Sequence, residues 1–514
     1  MSERLNDVAS RLRSEDAEIR RQAVRDVPGA SVEGALELLI RTLGDDNWRV
    51  RKEAAARVSA WPEAGAAITM LLAALREDED VGCRNAVVEA LSAIGRPAVA
   101  PILSELAAGG EHRKFLVDTL GAIGEGEATS MLIRVLSDED PNLRVAAAEG
   151  LRHIGGAEAK AALRSCLHSA DRSLRLAALD GLAMLQAIVP IAEIAGSLED
   201  PLLRKSAFRL LGWSGDPAAA TALIAALSGD ARAVHSAATV ALATLIRNAE
   251  DPAGEIARAV AAIDAETQLN VVGVLASDDE VRRRAAATIL GASGAAEFAN
   301  TLARALVDPS MAEACAAALA ELGQDAVGPI LEVAGDAEIE LRADLFDLLG
   351  QLQLGGRDVD AALLAGLDDE EPVAAAAARS LGLLAVGSGG ARLGQALGDA
   401  DRPEVASAAA TALGRLGALG VVPAAAGWLR ELGMASAVGE VRAASSLALA
   451  ETGAPEAEAA LHALLDDEEP YVRLAVIRAL GAVGAYERLR ARLTDETDAE
   501  IVAAIRAELD DADA

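Results

Sequence analysis

Apolar residues recur along this chain at three- and four-residue intervals in short runs, and each run is broken by an acidic turn. The stretch 136–155, LSDEDPNLRVAAAEGLRHIG, shows the unit most clearly. Leu143, Ala147, Leu151 and Ile154 fall on one stripe of a helical period, which predicts a helix that buries one face. Asp140, just ahead of it, can accept hydrogen bonds from the first free N–H groups, and Pro141 at the first helical position gives up no useful donor. Gly155 and Gly156 end the helix. Before the acidic turn lies the end of another apolar run, so the unit predicts two helices joined by a short turn.

The unit repeats. With the residue after the first hydrophobic of each second helix as an anchor, copies align on Arg20, Arg51, Arg84, Arg113, Arg144, Arg175 and Arg204, spaced 29 to 33 residues apart. The series continues through His235, Arg282, Ala312, Arg342, Ala374, Ala406, Arg442, Arg473 and Val502, which makes sixteen anchors, eleven of them Arg. A second mark falls eleven residues on, where a hydrophobic-Gly pair closes the helix, as at Ile94-Gly95, Ile123-Gly124, Ile154-Gly155, Leu322-Gly323, Leu416-Gly417 and Val483-Gly484. Shorter apolar segments such as 162–167 and 461–465 supply the first helices. A pair of this size cannot bury its apolar faces alone; it must stack on its neighbours, so an array is expected rather than one large core.

The register loosens in two places. His235 to Arg282 spans 47 residues around DPAGEIARAVAAIDAETQLNVVGVLA, and the Gly-rich 382–398 precedes a 36-residue step from Ala406 to Arg442. The expected organisation is an N-terminal array over 1–247, a degenerate repeat or joint over 248–278, and a C-terminal array over 279–514 that ends in an acidic cap.

LSDEDPNLRVAAAEGLRHIG, LGDDNWRVRKEAAARV and LDDEEPYVRLAVIRALGAVG together resemble HEAT-like repeats of the short form named after phycobilisome lyases. The resemblance covers nearly the whole chain and implies an all-α fold, a right-handed α-α superhelical solenoid of about sixteen helical pairs whose second helices line a concave groove. It also implies that the turn acids and anchor arginines form a structural ladder between repeats, here Arg51, Asp140, Arg144, Asp171, Arg175, Asp200, Arg204 and Arg473. Ankyrin, tetratricopeptide and leucine-rich signatures are absent.

Aromatic residues make up 2% of the chain, which suits small-residue helix packing and argues against a sandwich or barrel. Cys83, Cys166 and Cys315 are odd in number, far apart and without CxxC, so they read as buried small side chains. The N-terminal stretch carries charges throughout, and no apolar run reaches membrane-spanning length, so a cytoplasmic protein without a membrane partner is expected. The net charge of −33 argues against nucleic acid. The charge is uneven: residues 1–60 balance eleven acids with eleven bases, whereas 451–514 hold sixteen acids and six bases.

Three of the four Lys fall immediately after an anchor. That row contains Arg21, Lys52, Lys114, Lys205 and Arg283, and, with the aromatic Trp48 beside Arg49, it forms the candidate groove for an acidic segment of a protein partner. Trp61, Trp213, Trp428, Tyr471 and Tyr486 read mainly as packing residues. Catalytic constellations and cofactor motifs are not found: five His are scattered, HExxH and nucleophile elbows are lacking, and GSGG at 387–390 has no following Lys. An iron-binding class of HEAT-like enzymes uses His-Glu dipeptides, of which only the reversed Glu111-His112 occurs. The expectation is a non-enzymatic protein-binding scaffold or adaptor, regulatory or signalling in role and free of cofactors, with a bilin lyase or chaperone-like enzyme as the alternative that the namesake family suggests.

Overall fold

The computed structural model describes residues 3–29, 32–77, 80–110, 112–229 and 232–513. It is all helical, with no strand among the described residues. The chain forms two compact units, Met1–Ala259 and Val260–Ala514. In unit 1 the second helices are Ala17–Asp26, Trp48–Ser59, Val81–Ile94, Arg113–Ile123, Pro141–Ile154, Arg172–Met184, Arg204–Leu211 and Arg232–Asn248. In unit 2 they are Glu280–Ala292, Ala312–Leu322, Ile339–Gln351, Glu371–Leu383, Pro403–Ala418, Gly439–Glu451, Pro470–Ala482 and Ala499–Asp513. Each carries one of the sixteen anchors, and a first helix precedes each. Each unit is an α-solenoid of stacked helical pairs.

In several repeats the turn chemistry sets where the second helix begins. Side chains of Asp16, Asp80, Asp140 and Asp171 accept from the backbone N–H groups of Glu18, Cys83, Asn142 and Ser173, so free donors of the first turn are satisfied locally. In several repeats the first complete helical turn then closes at the anchor. The N–H groups of Arg51, Arg144 and Arg473 donate to the carbonyls of Asn47, Asp140 and Glu469 at 3.1, 3.2 and 3.2 Å. In Glu280–Ala292 the same bond runs from Arg283 to Asp279, at 3.1 Å. There the register lies one residue later than the sequence reading placed it, and Arg283 rather than Arg282 is the anchor.

Second helices touch one another through small residues. A Cβ added at Gly121 would lie 2.7 Å from the Cα of Gly150 on the next second helix, and one at Gly382 would lie 2.6 Å from the Cα of Ala412. Such contacts let the backbones approach to a distance that a larger side chain would forbid. Large fully buried residues such as Leu132, Leu151 and Leu163 fill the space between first and second helices. Within each unit neighbouring second helices therefore pack directly against one another.

Two further details depart from expectation. Gly155, with φ +73°, ends its helix in the left-handed region as predicted, but Leu416-Gly417 does not end one: the helix runs to Ala418, and Gly420 takes the positive φ of +70°. The Gly-rich 382–398 is not loose. Its glycines are contact points, with Gly394 lying against the Trp428 ring, and the longer step to Arg442 is absorbed by the loop 419–424 and a π-helical turn at Leu429–Gly433. The stretch 248–278 holds a short helix, Glu255–Ala261, followed by the first helix Ala265–Leu275 of the next pair. The short helix has no partner in the alternation, and the boundary between units falls inside it. Among the described residues no single helix is long and apolar enough to cross a membrane.

Candidate binding surface on the second helices

The anchor arginines face the turns. Arg144 donates to the carbonyls of Asp138 and Glu139 in its own turn at 2.9 and 3.2 Å, and to the carboxylate of Asp171 in the next turn at 2.8 Å. Arg20 spans to Asp45 and Arg442 to Asp467, both 25 residues on; Arg113 to Asp138 is the same rung. Arg175 lies 3.8 Å from Asp200, Arg473 lies 3.8 Å from Asp498, and Arg51 and Arg204 bond to carbonyls of their own turns. Where His235 replaces Arg, its Nε2 lies 2.6 Å from the carbonyl of Gly229, six residues back, so the imidazole takes over the turn contact. Asp140 does not reach an anchor; its side chain caps its own helix. The guanidinium ions hold Asp138, Asp171 and Asp467 below the usual carboxylate range, chiefly through these hydrogen bonds.

The row after the anchors is less free than the sequence suggested. Arg21 is held by Glu18 at 2.7 Å and lies 3.7 Å from Glu53, and the Nζ of exposed Lys114 donates to Asp118 at 2.7 Å. Lys52 and Lys205 are exposed. Arg283 leaves this row: as an anchor it pairs with Asp308 at 2.6 Å, and Arg284 stands in the position the sequence had given it. Trp48 opens its helix 59% exposed, with the Arg49 guanidinium 5.4 Å from its ring centroid.

A second row, one helical turn further along, forms ion pairs across this face. Arg25 pairs with Glu53 at 2.8 Å, Arg209 with Asp180 at 2.5 Å, and Arg379 with Asp347 at 2.7 Å, each bond crossing between neighbouring second helices. Around Arg209 the face of unit 1 opens into a cleft of about 390 Å³. Its walls come from four successive second helices and include Arg152, Asp180, Met184, Arg209, Trp213 and Val240. Met184 is 61% exposed and Trp213 is half-buried. The sequence reading missed this site because each repeat contributes only one to three residues. Reading the row five residues after the anchor would have placed Asp180, Arg209 and Val240 side by side.

Neither the thiols nor the histidines assemble a reactive group. Cys83, Cys166 and Cys315 are buried and form no disulfide among the described residues, and burial pushes the Cys315 thiol up to about 11. His153 and His168 are exposed, His112 Nε2 lies 3.1 Å from Glu105, and Glu111 falls outside the described residues. Among the described residues no set of three or more His, Cys, Asp or Glu is placed to hold a metal ion.

The family model for HEAT repeats matches residues 5–80, 108–183 and 428–510. The chain contains HEAT repeats over these three stretches. Among curated proteins none matches it. Solved structures similar to this HEAT-repeat chain include the karyopherin Kap121p bound to the SUMO protease Ulp1p, at 14% identity over 98% of this chain and 69% of that one, with a TM-score of 0.43. Importin beta is similar at 13% identity over 98% of this chain and 83% of its own, with a TM-score of 0.47. An engineered protein aligns at 19% identity over 74% of this chain and 99% of that one, with a TM-score of 0.35.

Proposed function

We propose that this chain is a non-enzymatic protein-binding scaffold with a regulatory or signalling role, and that it holds its partner against the second-helix face of unit 1. The observation that carries the reading is the cleft around Arg209. It joins an exposed Met, a half-buried Trp and an Arg on one rigid face, and Trp, Met and Arg are enriched where proteins bind one another. A stacked array presents this face already formed, so little ordering entropy is lost on association.

In this reading the row of Lys52, Lys114 and Lys205 steers an acidic partner segment toward the face, with Trp48 as a contact at its edge. Arg21 and Lys114 contribute less, because Glu18 and Glu53 neutralise the first and Asp118 the second. The stretch 248–278, with its odd helix, is proposed to be the joint between the two arrays. Affinity capture from the native cell with the wild-type chain and with the Lys52→Glu, Lys114→Glu, Lys205→Glu triple variant tests the electrostatic part. Capture of the same partner in equal yield would remove it, and failure of the wild-type chain to capture any protein reproducibly would remove the scaffold reading.

A further inference from the structure

The cleft of unit 1 carries more cationic than anionic side chains. Arg152 projects into it from Pro141–Ile154, and its Nε is shut off from solvent without a hydrogen-bond partner. Among the described residues it has no ion-pair partner either. Arg209 is 55% exposed at its side chain and uses one nitrogen on Asp180 and on the Ser206 hydroxyl, which leaves the rest of its planar fork facing outward. Lys205 stands exposed one turn before Arg209 on the same helix. Against these cations the cleft itself sets one carboxylate, Asp180. In a protein of net charge −33 this is a local excess of positive charge next to an apolar floor of Met184, Trp213 and Val240.

We infer that this cleft is a docking site for an acidic peptide segment of a partner protein that carries a large apolar side chain beside its carboxylates. The inference rests on the scaffold reading above and narrows it to one site and one chemistry. The apolar side chain lies over Trp213 and Met184, where burying its surface drives association. A neighbouring carboxylate pairs with Arg152, and a second one meets the open side of Arg209. Guanidinium ions suit this role because they offer several donors in a fixed plane and are weakly hydrated. A basic segment is disfavoured, since it would bring its charge beside Arg152 and Arg209 with only the already paired Asp180 to receive it.

The test uses the full chain and three fluorescein-labelled nonapeptides, Gly-Glu-Asp-Phe-Glu-Leu-Asp-Glu-Gly, its Gln/Asn analogue and its Lys analogue, titrated by fluorescence polarisation at low and physiological salt. The acidic peptide should bind, and the Gln/Asn and Lys analogues should bind at least about tenfold more weakly. Arg152→Gln and Trp213→Leu should each weaken the acidic peptide by about tenfold. Melting curves establish that the variants are folded, and Arg96→Gln on a distant exposed pair serves as a control that leaves binding unchanged. Equal binding of the three peptides, preference for the Lys analogue, or indifference to Arg152→Gln would overturn the inference. If the chain still captures a protein partner under any of those outcomes, the scaffold reading survives and only this assignment of the cleft is lost.

Discussion

An arginine in this chain is worth what its surroundings make it. Arg442 and Asp467 leave only 10% and 5% of their side chains exposed, and the guanidinium also donates to the carbonyls of Ser436 and Ala437. Arg96 and Glu127 form a bond of similar length at 2.6 Å but are 70% and 49% exposed. Removing one partner of the first pair strands a charge out of water, whereas water readily replaces a lost partner in the second. Arg442→Ala is therefore expected to cost about 3 kcal/mol, read as a shift in urea midpoint, and Arg96→Ala to leave the midpoint nearly unchanged. The same rungs fix the response to pH. Asp138, Asp171 and Asp467 titrate below their unfolded values, so their contribution is fully present above the ordinary aspartate value of about 4 and is lost as pH falls through the lowered folded values. The melting temperature should fall on going from pH 5 to pH 3, and the difference between wild type and Arg442→Ala should shrink over that interval. An unchanged difference would mean that the rung does not supply the acid sensitivity.

At the scale of the helix, the decisive quantity is how closely two second helices approach. A methyl group at Gly382 would meet the Cα of Ala412 at 2.6 Å, a backbone atom that cannot step aside, while one at the exposed helical residue Gly273 would meet nothing within 4 Å. Gly382→Ala is expected to destabilise by about 1–3 kcal/mol through forced separation of the helices. Gly273→Ala should stabilise by about 0.5–1 kcal/mol, because it only removes freedom from the unfolded chain. Thermal melts of the two variants should shift in opposite directions; a shared direction would show that helix propensity rather than approach distance governs these sites. The helices themselves were legible in the sequence, because capping acids, apolar stripes and closing glycines repeat at one spacing and correct one another. The error at Arg282 has a physical source: three consecutive arginines conceal the register, and only the bond from Arg283 to Asp279 resolves it. The glycines of 382–398 misled for a related reason, since a glycine marks a loop and a close contact with the same letter. The cleft stayed hidden because Arg152, Asp180 and Arg209 become neighbours only when repeats about thirty residues apart are stacked.

The two units differ most in charge. Unit 1 carries 37 acidic and 29 basic residues, and unit 2 carries 43 and 18. In unit 2 most carboxylates therefore have no cation to answer them, and the stack must hold against its own repulsion. It compensates with apolar close packing: Ala374 and Ala406 occupy anchor positions that elsewhere hold Arg, and the helix Glu371–Leu383 buries Val373 through Ala378 without a break. Close packing is insensitive to salt, whereas repulsion between exposed carboxylates falls off within a Debye length of about 10 Å at 0.1 M and about 30 Å at 0.01 M. Raising ionic strength should therefore stabilise unit 2 more than unit 1, whose pairs are more nearly balanced and lose some attraction as they are screened. Hydrogen exchange followed by mass spectrometry can resolve the units within the intact chain by comparing Pro141–Ile154 with Pro470–Ala482. At 0.01 M salt the second segment is expected to exchange faster than the first, and at 0.15 M the gap should narrow because protection rises in unit 2. Equal protection gains in both segments would place the effect of salt on some shared property of the repeats and remove charge imbalance as the feature that separates the two arrays.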